Sequence, residues 1–262
     1  MIGQVTSQAI IWKEVAAVLG TLFPILVLIY WKRKTKCSLK PVVVGAITFL
    51  VFSQMLEGIP KFILFMNDSA VSNYVWTHAW AYVMAGCLLA GIFEEIGRYV
   101  AFRFVLKKYR NPADSITYGI GHGGIESILI LGITGVVSIG MAAAINDGTF
   151  VQSLNGVSGG QLKSSMLQAN AIIGYGVSDL VLDVLERIFA MSLHISLSIV
   201  VFHSVKSRKI AYLFLTILLH AAFDVPAAMY QFGVLGKIPA ECLLMIGAVV
   251  CVAVARAVYQ RE

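Results

Sequence analysis

Acidic, basic and imidazole side chains occur at several positions inside the long apolar stretches of this sequence. A charged side chain at the centre of a membrane helix costs roughly 2.5 to 3.5 kcal/mol on insertion scales, so such residues are functional candidates. Carboxylates and imidazoles are also the groups that commonly move protons or hold metal ions in active sites. The candidates are Glu94, Glu95, Arg98, His122, Glu126, His194, His220 and Asp224.

The spacing of these residues places several of them on common helix faces. Residues four apart are neighbours on a helix surface, so a carboxylate is expected to orient an imidazole and Arg98 to pair with a glutamate. Gly119 and Gly123 lie close to His122 and form a pair of small residues suited to tight helix packing. The pairs with this spacing are Glu94 with Arg98, His122 with Glu126, and His220 with Asp224.

The elements that hold these residues are predicted to be membrane helices. Hydrophobic residues make up 58% of the chain and charged residues 13%, whereas a soluble domain carries about 25% charged residues. Apolar runs near or above the roughly 20 residues that span a bilayer predict an all-α, polytopic protein of the cell membrane. We expect one transmembrane domain over residues 1–262, with seven spans at about 10–31, 41–66, 77–106, 115–145, 189–205, 210–232 and 242–258.

The basic residues predict an orientation rather than a nucleic-acid partner. The net charge is +6, but lysine and arginine cluster after spans one, three, five and seven instead of covering one long face. The positive-inside rule therefore predicts an N-terminus outside and a C-terminus in the cytoplasm. The segment at about 146–188 is predicted to be an outer loop followed by an amphipathic segment. The four cysteines lack the spacing of a zinc finger or a disulfide framework.

Depth along the helices predicts that the candidates converge. Counted from the cytoplasmic ends at 1.5 Å per residue, Glu94, Glu95, His122, His194 and His220 come out roughly 12 to 18 Å deep. This is near the midplane of a core about 30 Å thick. We therefore expect four helices to direct these side chains into one shared cavity, open to water from the cytoplasmic side.

Two further charged residues are predicted to lie outside this site. Glu186 and Arg187 are roughly two helical turns outward of His194. By depth they are expected to pair with each other or to cap the amphipathic segment.

The motifs that contain the candidates resemble those of a known family. The segments EEIGR from Glu94, YGIGHGGIE from Tyr118 and HAAFD from His220 resemble the YhfC-type bacterial membrane proteins. These are distant relatives of the CAAX-prenyl-protease and bacteriocin-processing (Abi) family of glutamate-type intramembrane proteases. The resemblance implies site roles for Glu94 or Glu95, Arg98, His122, His220 and Asp224. Two details depart from the wider pattern: Arg98 is one residue closer to the glutamate pair, and Asp224 stands where many relatives have asparagine.

Three functions are compatible with these residues. An intramembrane peptidase would use Glu94 or Glu95 to deprotonate water, with His122 and His220 stabilising the oxyanion or coordinating a metal and His194 as a further imidazole. No cofactor is certain; a divalent metal such as zinc is a candidate, although the chain lacks a His-Glu-x-x-His motif. The expected partners are the lipid bilayer and a membrane-embedded or lipidated peptide substrate. The alternatives are a proton- or metal-ion transporter, disfavoured by the absence of an internal repeat, and a non-catalytic regulatory or immunity protein.

Overall fold

The structure, a computed structural model, describes residues 3–260, and its regular elements over that range are helices. Seven of them are long and apolar enough to cross a membrane, which confirms the predicted polytopic, all-α class. In chain order the helices are α1 (Ser7–Thr35), α2 (Lys40–Met66), α3 (Ala70–Thr77), α4 (Ala79–Val105), α5 (Pro112–Asp147), α6 (Thr149–Ser153), α7 (Gly159–Ile172), α8 (Val177–Ser207), α9 (Ala211–Phe232) and α10 (Lys237–Tyr259).

Local sequence signals set several helix ends. Helix α5 begins after Asn111, whose side chain accepts from the amide of Ala113, while Asp114 accepts from the Asn111 amide. This reciprocal capping satisfies amides that have no partner within the helix. Pro112 occupies the first turn, where its fixed φ fits and its missing N–H costs nothing. Helix α9 ends at Gly233, whose φ of 87° favours glycine.

Helix α8 is the central element of the bundle. Of its most apolar window, 72% is buried inside the protein, compared with 22–39% for the other six spans. It packs against α5, α9 and α10 and also contacts α1 and α4. A side chain near the middle of α8 is therefore surrounded by other helices rather than by lipid.

Glycines allow the helices that carry the candidate residues to approach closely. A Cβ on Gly119 would lie 2.6 Å from the Cα of Ile195, and one on Gly123 would lie 3.2 Å from the sulfur of Met191, both on α8. The predicted packing role of this small-residue pair is confirmed. A Cβ on Gly91 would lie 2.8 Å from a backbone oxygen of α9, so α4 and α9 are equally close there.

The bundle has two chemically different ends. The ends of α1, α4, α8 and α10 that carry Lys32, Arg103, Lys206 and Arg256 are called the basic end. The opposite end, which holds α3, α6 and α7, is called the far end. The assignment of the basic end to the cytoplasm stays a prediction.

The predicted amphipathic segment adjoins span five in the sequence, and together they form one continuous helix, α8, which starts at Val177. Two other segments differ from the expected pattern. Span seven begins at Lys237, earlier than expected, because the charged residues of its first turns face polar partners on α8. Residues 146–170, which read as a loop, contain α6 and most of α7.

Candidate functional site

Four helices bring all eight candidate side chains into one network near the middle of the bundle. Most of these side chains are buried, and each lies within hydrogen-bond or ion-pair distance of another member. Helix α4 contributes Glu94, Glu95 and Arg98, α5 contributes His122 and Glu126, α8 contributes His194, and α9 contributes His220 and Asp224.

One carboxylate oxygen of Glu94 lies at the centre of this network. This oxygen, Oε2, is 2.9 Å from Nε2 of His122, 3.9 Å from Nδ1 of His194 and 3.9 Å from Nε2 of His220. The Glu94 side chain is only 7% exposed, so these contacts are shielded from solvent. Three imidazoles from three helices therefore face one acidic oxygen.

Arg98 pairs with Glu95 rather than with Glu94, so the expected pairing of Glu94 with Arg98 is wrong. Nη1 of Arg98 is 3.2 Å from Oε1 of Glu95, and both side chains are fully buried. Residues three apart are also neighbours on a helix, and Glu94 turns instead toward His122 on α5. Nδ1 of His220 lies 2.7 Å from the same Glu95 oxygen, which joins α4 to α9.

The ring of His194 is held from both sides. Nη2 of Arg98 is 3.1 Å from Nδ1, and Nε2 makes a close contact with Oε2 of Glu126. A guanidinium group only donates hydrogen bonds, so Nδ1 must accept from Arg98. In the neutral ring the proton then lies on Nε2 and is donated to Glu126, which fixes the orientation of the imidazole.

The expected pairing of His122 with Glu126 is also wrong, because each finds a nearer partner on another helix. Glu126 binds His194, and its Oε1 accepts a hydrogen bond of 2.8 Å from Nη1 of Arg187. Nη2 of Arg187 is 2.5 Å from Oε1 of Glu186, so the predicted pair of Glu186 with Arg187 is confirmed. Arg187 nevertheless enters the network, since its long side chain reaches from α8 to α5.

Asp224 lies at the rim of the network. Its Oδ2 is 3.6 Å from Nε2 of His220, as the spacing of the two residues predicts. The Asp224 side chain is 31% exposed, the largest exposed fraction among the paired acids of the network. Asp224 is therefore the acid of the site that is most open to the surroundings.

Apolar side chains close the basic-end side of the site, where an opening to water was expected. One buried cluster packs there, on the basic-end side of the candidate residues, and it includes Phe102, Tyr118, Val201 and Phe202. The polar contacts of the network run the other way, through Glu126 and Arg187 toward the far end.

Glu94, His122 and His194 form a group that fits a metal ion. One ligand atom from each residue lies within 4.8 Å of the other two, and all three side chains are buried. A carboxylate with two imidazoles is a ligand set of catalytic zinc sites, in which the fourth position is left for water or substrate. Nδ1 of His122 is buried without a hydrogen-bond partner among residues 3–260, so this nitrogen is not committed to another protein group.

Comparison with known proteins identifies the family. A family model described as the YhfC intramembrane metalloprotease matches residues 19–245. This chain belongs to the YhfC family. It is 39% identical over 233 residues to the uncharacterized membrane protein YhfC of Bacillus subtilis (strain 168), covering 88% of each chain. No solved structure matches.

The YhfC chain has a further intramembrane ion pair that the analysis of the sequence missed. Glu57 on α2 is fully buried, and Oε1 lies 2.7 Å from Nζ of Lys61, whose side chain is 43% exposed. The signal was present, because Glu57 and Lys61 have the same four-residue spacing inside an apolar run as the pairs singled out above.

Proposed function

We propose that this YhfC protein is a membrane-embedded endopeptidase that cleaves a peptide bond in a membrane-embedded or lipidated peptide. The description of its family as an intramembrane metalloprotease supports this reaction class. The observation that carries the proposal is the position of Glu94 Oε2, which three imidazoles face. Side chains that can bind a metal or carry a proton therefore lie together in one buried site.

Glu94, His122 and His194 would hold the metal, and zinc suits this ligand set best. A divalent metal bound there supplies a Lewis acid that polarises the scissile carbonyl and activates water. Glu126 accepts the Nε2–H of His194 and is a positioning residue, because a partner of this kind orients a ligand without touching the substrate. A metal on Nδ1 of His194 would take the place of the hydrogen bond from Arg98.

His220 and Glu95 form the proton-handling pair. Nδ1–H of His220 donates to Glu95, which leaves Nε2 directed toward Glu94 and Asp224 and able to accept a proton. In peptide hydrolysis the attacking water loses a proton, the C–N bond breaks and the leaving amine gains a proton. His220 serves both ends of this transfer by accepting the first proton and donating the second.

A second version of the same reaction uses Glu94 as the base and needs no metal, as the resemblance to the CAAX-prenyl-protease family implies. Glu94 would take the proton from water, and His122 and His220 would donate hydrogen bonds to the developing oxyanion, His220 as an imidazolium because its Nδ1–H is already donated to Glu95. The contact of 2.9 Å between Glu94 and Nε2 of His122 would hold the base beside this imidazole. The kinship with that protease family is part of this version of the proposal.

The basic end is assigned to the cytoplasm in this proposal. Lysine and arginine lie at the same end of α1, α4, α8 and α10, which is the pattern of a cytoplasmic face. The far end, with α3, α6 and α7, then faces outside. The N-terminus lies outside and the C-terminus in the cytoplasm.

Purified protein in lipid nanodiscs tests the proposal. Bound metals are quantified, and the protein is incubated with a panel of lipidated and unlipidated membrane peptides before and after chelation. The metal version predicts one metal per chain and cleavage that is lost on chelation and restored by zinc. Cleavage that survives complete metal removal supports the glutamate version. Absence of cleavage, with proton or metal flux in liposomes that depends on Glu94, would replace the peptidase by a transporter.

A further inference from the structure

A second cluster of ionisable side chains surrounds a cavity at the far end of the bundle. The cavity has a volume of about 90 Å³ and lies between α8, α9 and α10. Glu186 on its wall is eight residues before His194, or roughly 12 Å along the helix. The cavity is therefore separate from the site around Glu94. Its polar lining consists of Asp183, Glu186, Tyr230, Gln231, Lys237 and Glu241.

Two of the acids near this cavity are already neutralised. Nζ of Lys237 is 2.8 Å from Oδ1 of Asp183 and 3.0 Å from Oδ1 of Asp179. The hydroxyl of Tyr175 donates a hydrogen bond of 2.8 Å to Oδ2 of Asp183. Burial, reinforced by the adjacent Asp183, raises the pKa of Tyr175, so this hydroxyl keeps its proton. Asp183 therefore has little capacity left for another ligand.

Glu241 is the exception. Its side chain lines the cavity, it is only 8% exposed, and its Oε2 is buried without a hydrogen-bond partner among the described residues. A carboxylate buried without a partner is strongly unfavourable. This side chain therefore points to a positively charged ligand in the cavity.

The balance of charge around the cavity indicates the charge of that ligand. Three basic side chains serve the cluster: Lys13 and Lys237 bind Asp183, and Arg187 is shared between Glu186 and Glu126. Four carboxylates of the cluster face these three cations, because Asp179 and Glu241 complete the set with Asp183 and Glu186. Arg187 is also shared with Glu126 of the other site, so the cluster keeps an excess of negative charge that a bound cation would offset.

We propose that this cavity binds a divalent cation, with Glu241 and Glu186 as its acidic ligands. The side-chain amide of Gln231 also lines the cavity. Carboxylate and amide oxygens suit hard cations such as Mg²⁺, Ca²⁺ and Mn²⁺, whereas the imidazole-rich site around Glu94 suits zinc. A water needs roughly 10–15 Å³ of such a cavity, so there is room for a cation that keeps some of its waters. This site stands independently of the peptidase proposal.

Mn²⁺ is the probe for a direct test. The full-length protein in detergent is titrated with Mn²⁺, and binding is counted from the loss of the electron paramagnetic resonance signal of the free ion. Glu241→Gln is expected to bind one Mn²⁺ per chain fewer than wild type. Glu14→Gln removes an exposed acid of α1 and is expected to bind as many as wild type. His122→Ala separates the two sites, because any Mn²⁺ that it loses belongs to the site around Glu94.

A label on the native Cys242 provides a second measurement that leaves Glu241 intact. Cys242 is exposed and follows Glu241 directly, whereas Cys37 lies at the other end of the molecule and is partly buried. One bound Mn²⁺ is expected to broaden the signal of a nitroxide on Cys242 in Cys37→Ser protein, but not that of a nitroxide on Cys37 in Cys242→Ser protein. Equal Mn²⁺ binding by wild type and Glu241→Gln, or equal broadening of both labels, would overturn the proposal.

Discussion

The two halves of α8 contact different kinds of side chain, and His194 lies between the two halves. Toward the basic end, Leu197, Val200 and Val201 are completely buried and pack against apolar neighbours. Toward the far end, Asp183 and Arg187 bind charged side chains on α10 and α5. The apolar half fixes the helix in the bundle, whereas the polar half links α8 to α5 and α10 through ion pairs.

Substitution at the junction of the two halves is expected to have the largest effect. Glu94→Gln keeps the side-chain volume but removes the charge that three imidazoles face, and His122→Ala removes a proposed metal ligand. Each should lower peptide cleavage by about 100-fold or more, the usual scale for losing a base or a charge-stabilising group. Turnover of purified variants with a fluorogenic membrane peptide measures this. Near-normal turnover of Glu94→Gln would remove Glu94 from the mechanism.

On the basic-end side, Arg98 is expected to matter for stability. Arg98→Met leaves Glu95 buried without its cation, and breaking a buried pair in this way costs about 3 to 5 kcal/mol. Unfolding in a mixed-micelle denaturant titration measures the loss. Arg103→Met, at an exposed position of the same helix, is the matched control and should change stability by less than about 0.5 kcal/mol. Equal stability of the two variants would show that the pair is not needed for folding.

On the far-end side, Arg187 is expected to act on the site through Glu126. Arg187→Met should reduce metal affinity or kcat by about 10- to 100-fold, the range for partners that orient a ligand, with little change in KM. Arg187→Lys keeps the charge and should recover part of the loss. If Arg187→Met raised KM alone, the residue would bind substrate instead of positioning His194.

At the rim, Asp224 is expected to have the smallest effect. Its contact with His220 is partly exposed, and an ion pair of this kind contributes about 1 kcal/mol or less. Asp224→Asn, which removes the charge but keeps the side-chain size, should therefore change kcat/KM by less than about tenfold. A larger loss would place the ionised carboxylate among the groups that act on the substrate.

Much of the fold could be predicted because each membrane span must satisfy its backbone hydrogen bonds within itself. Apolar runs of sufficient length therefore reveal helices without knowledge of their neighbours. The beginning of α10 was harder to predict, since Lys237 looks like a loop residue until it is seen to bind Asp183 of α8 across 54 positions of the chain. The convergence of the candidate residues followed from their depth alone.

Apart from the contact of His220 with Asp224, the pairing within the site could not be predicted from spacing. Spacing identifies neighbours on one helix, but Glu94 and Glu126 bind residues of other helices that lie nearer once the helices pack. Glycines such as Gly91 and Gly119 determine the distance between neighbouring helices, because they let the backbones approach to distances that a Cβ would prevent. Which carboxylate faces which imidazole is therefore a property of packing, not of sequence period.

The most direct test of the central claim is X-ray absorption spectroscopy at the zinc edge on purified, zinc-loaded protein. The account predicts one zinc per chain with histidine nitrogen ligands at about 2.0–2.1 Å and a carboxylate oxygen at about 2.0–2.2 Å. His122→Ala and His194→Ala should each remove one histidine from the spectrum or abolish binding, whereas His203→Ala, a histidine outside the network, should leave the spectrum unchanged. A zinc site that persists unchanged in both His122→Ala and His194→Ala would contradict the account.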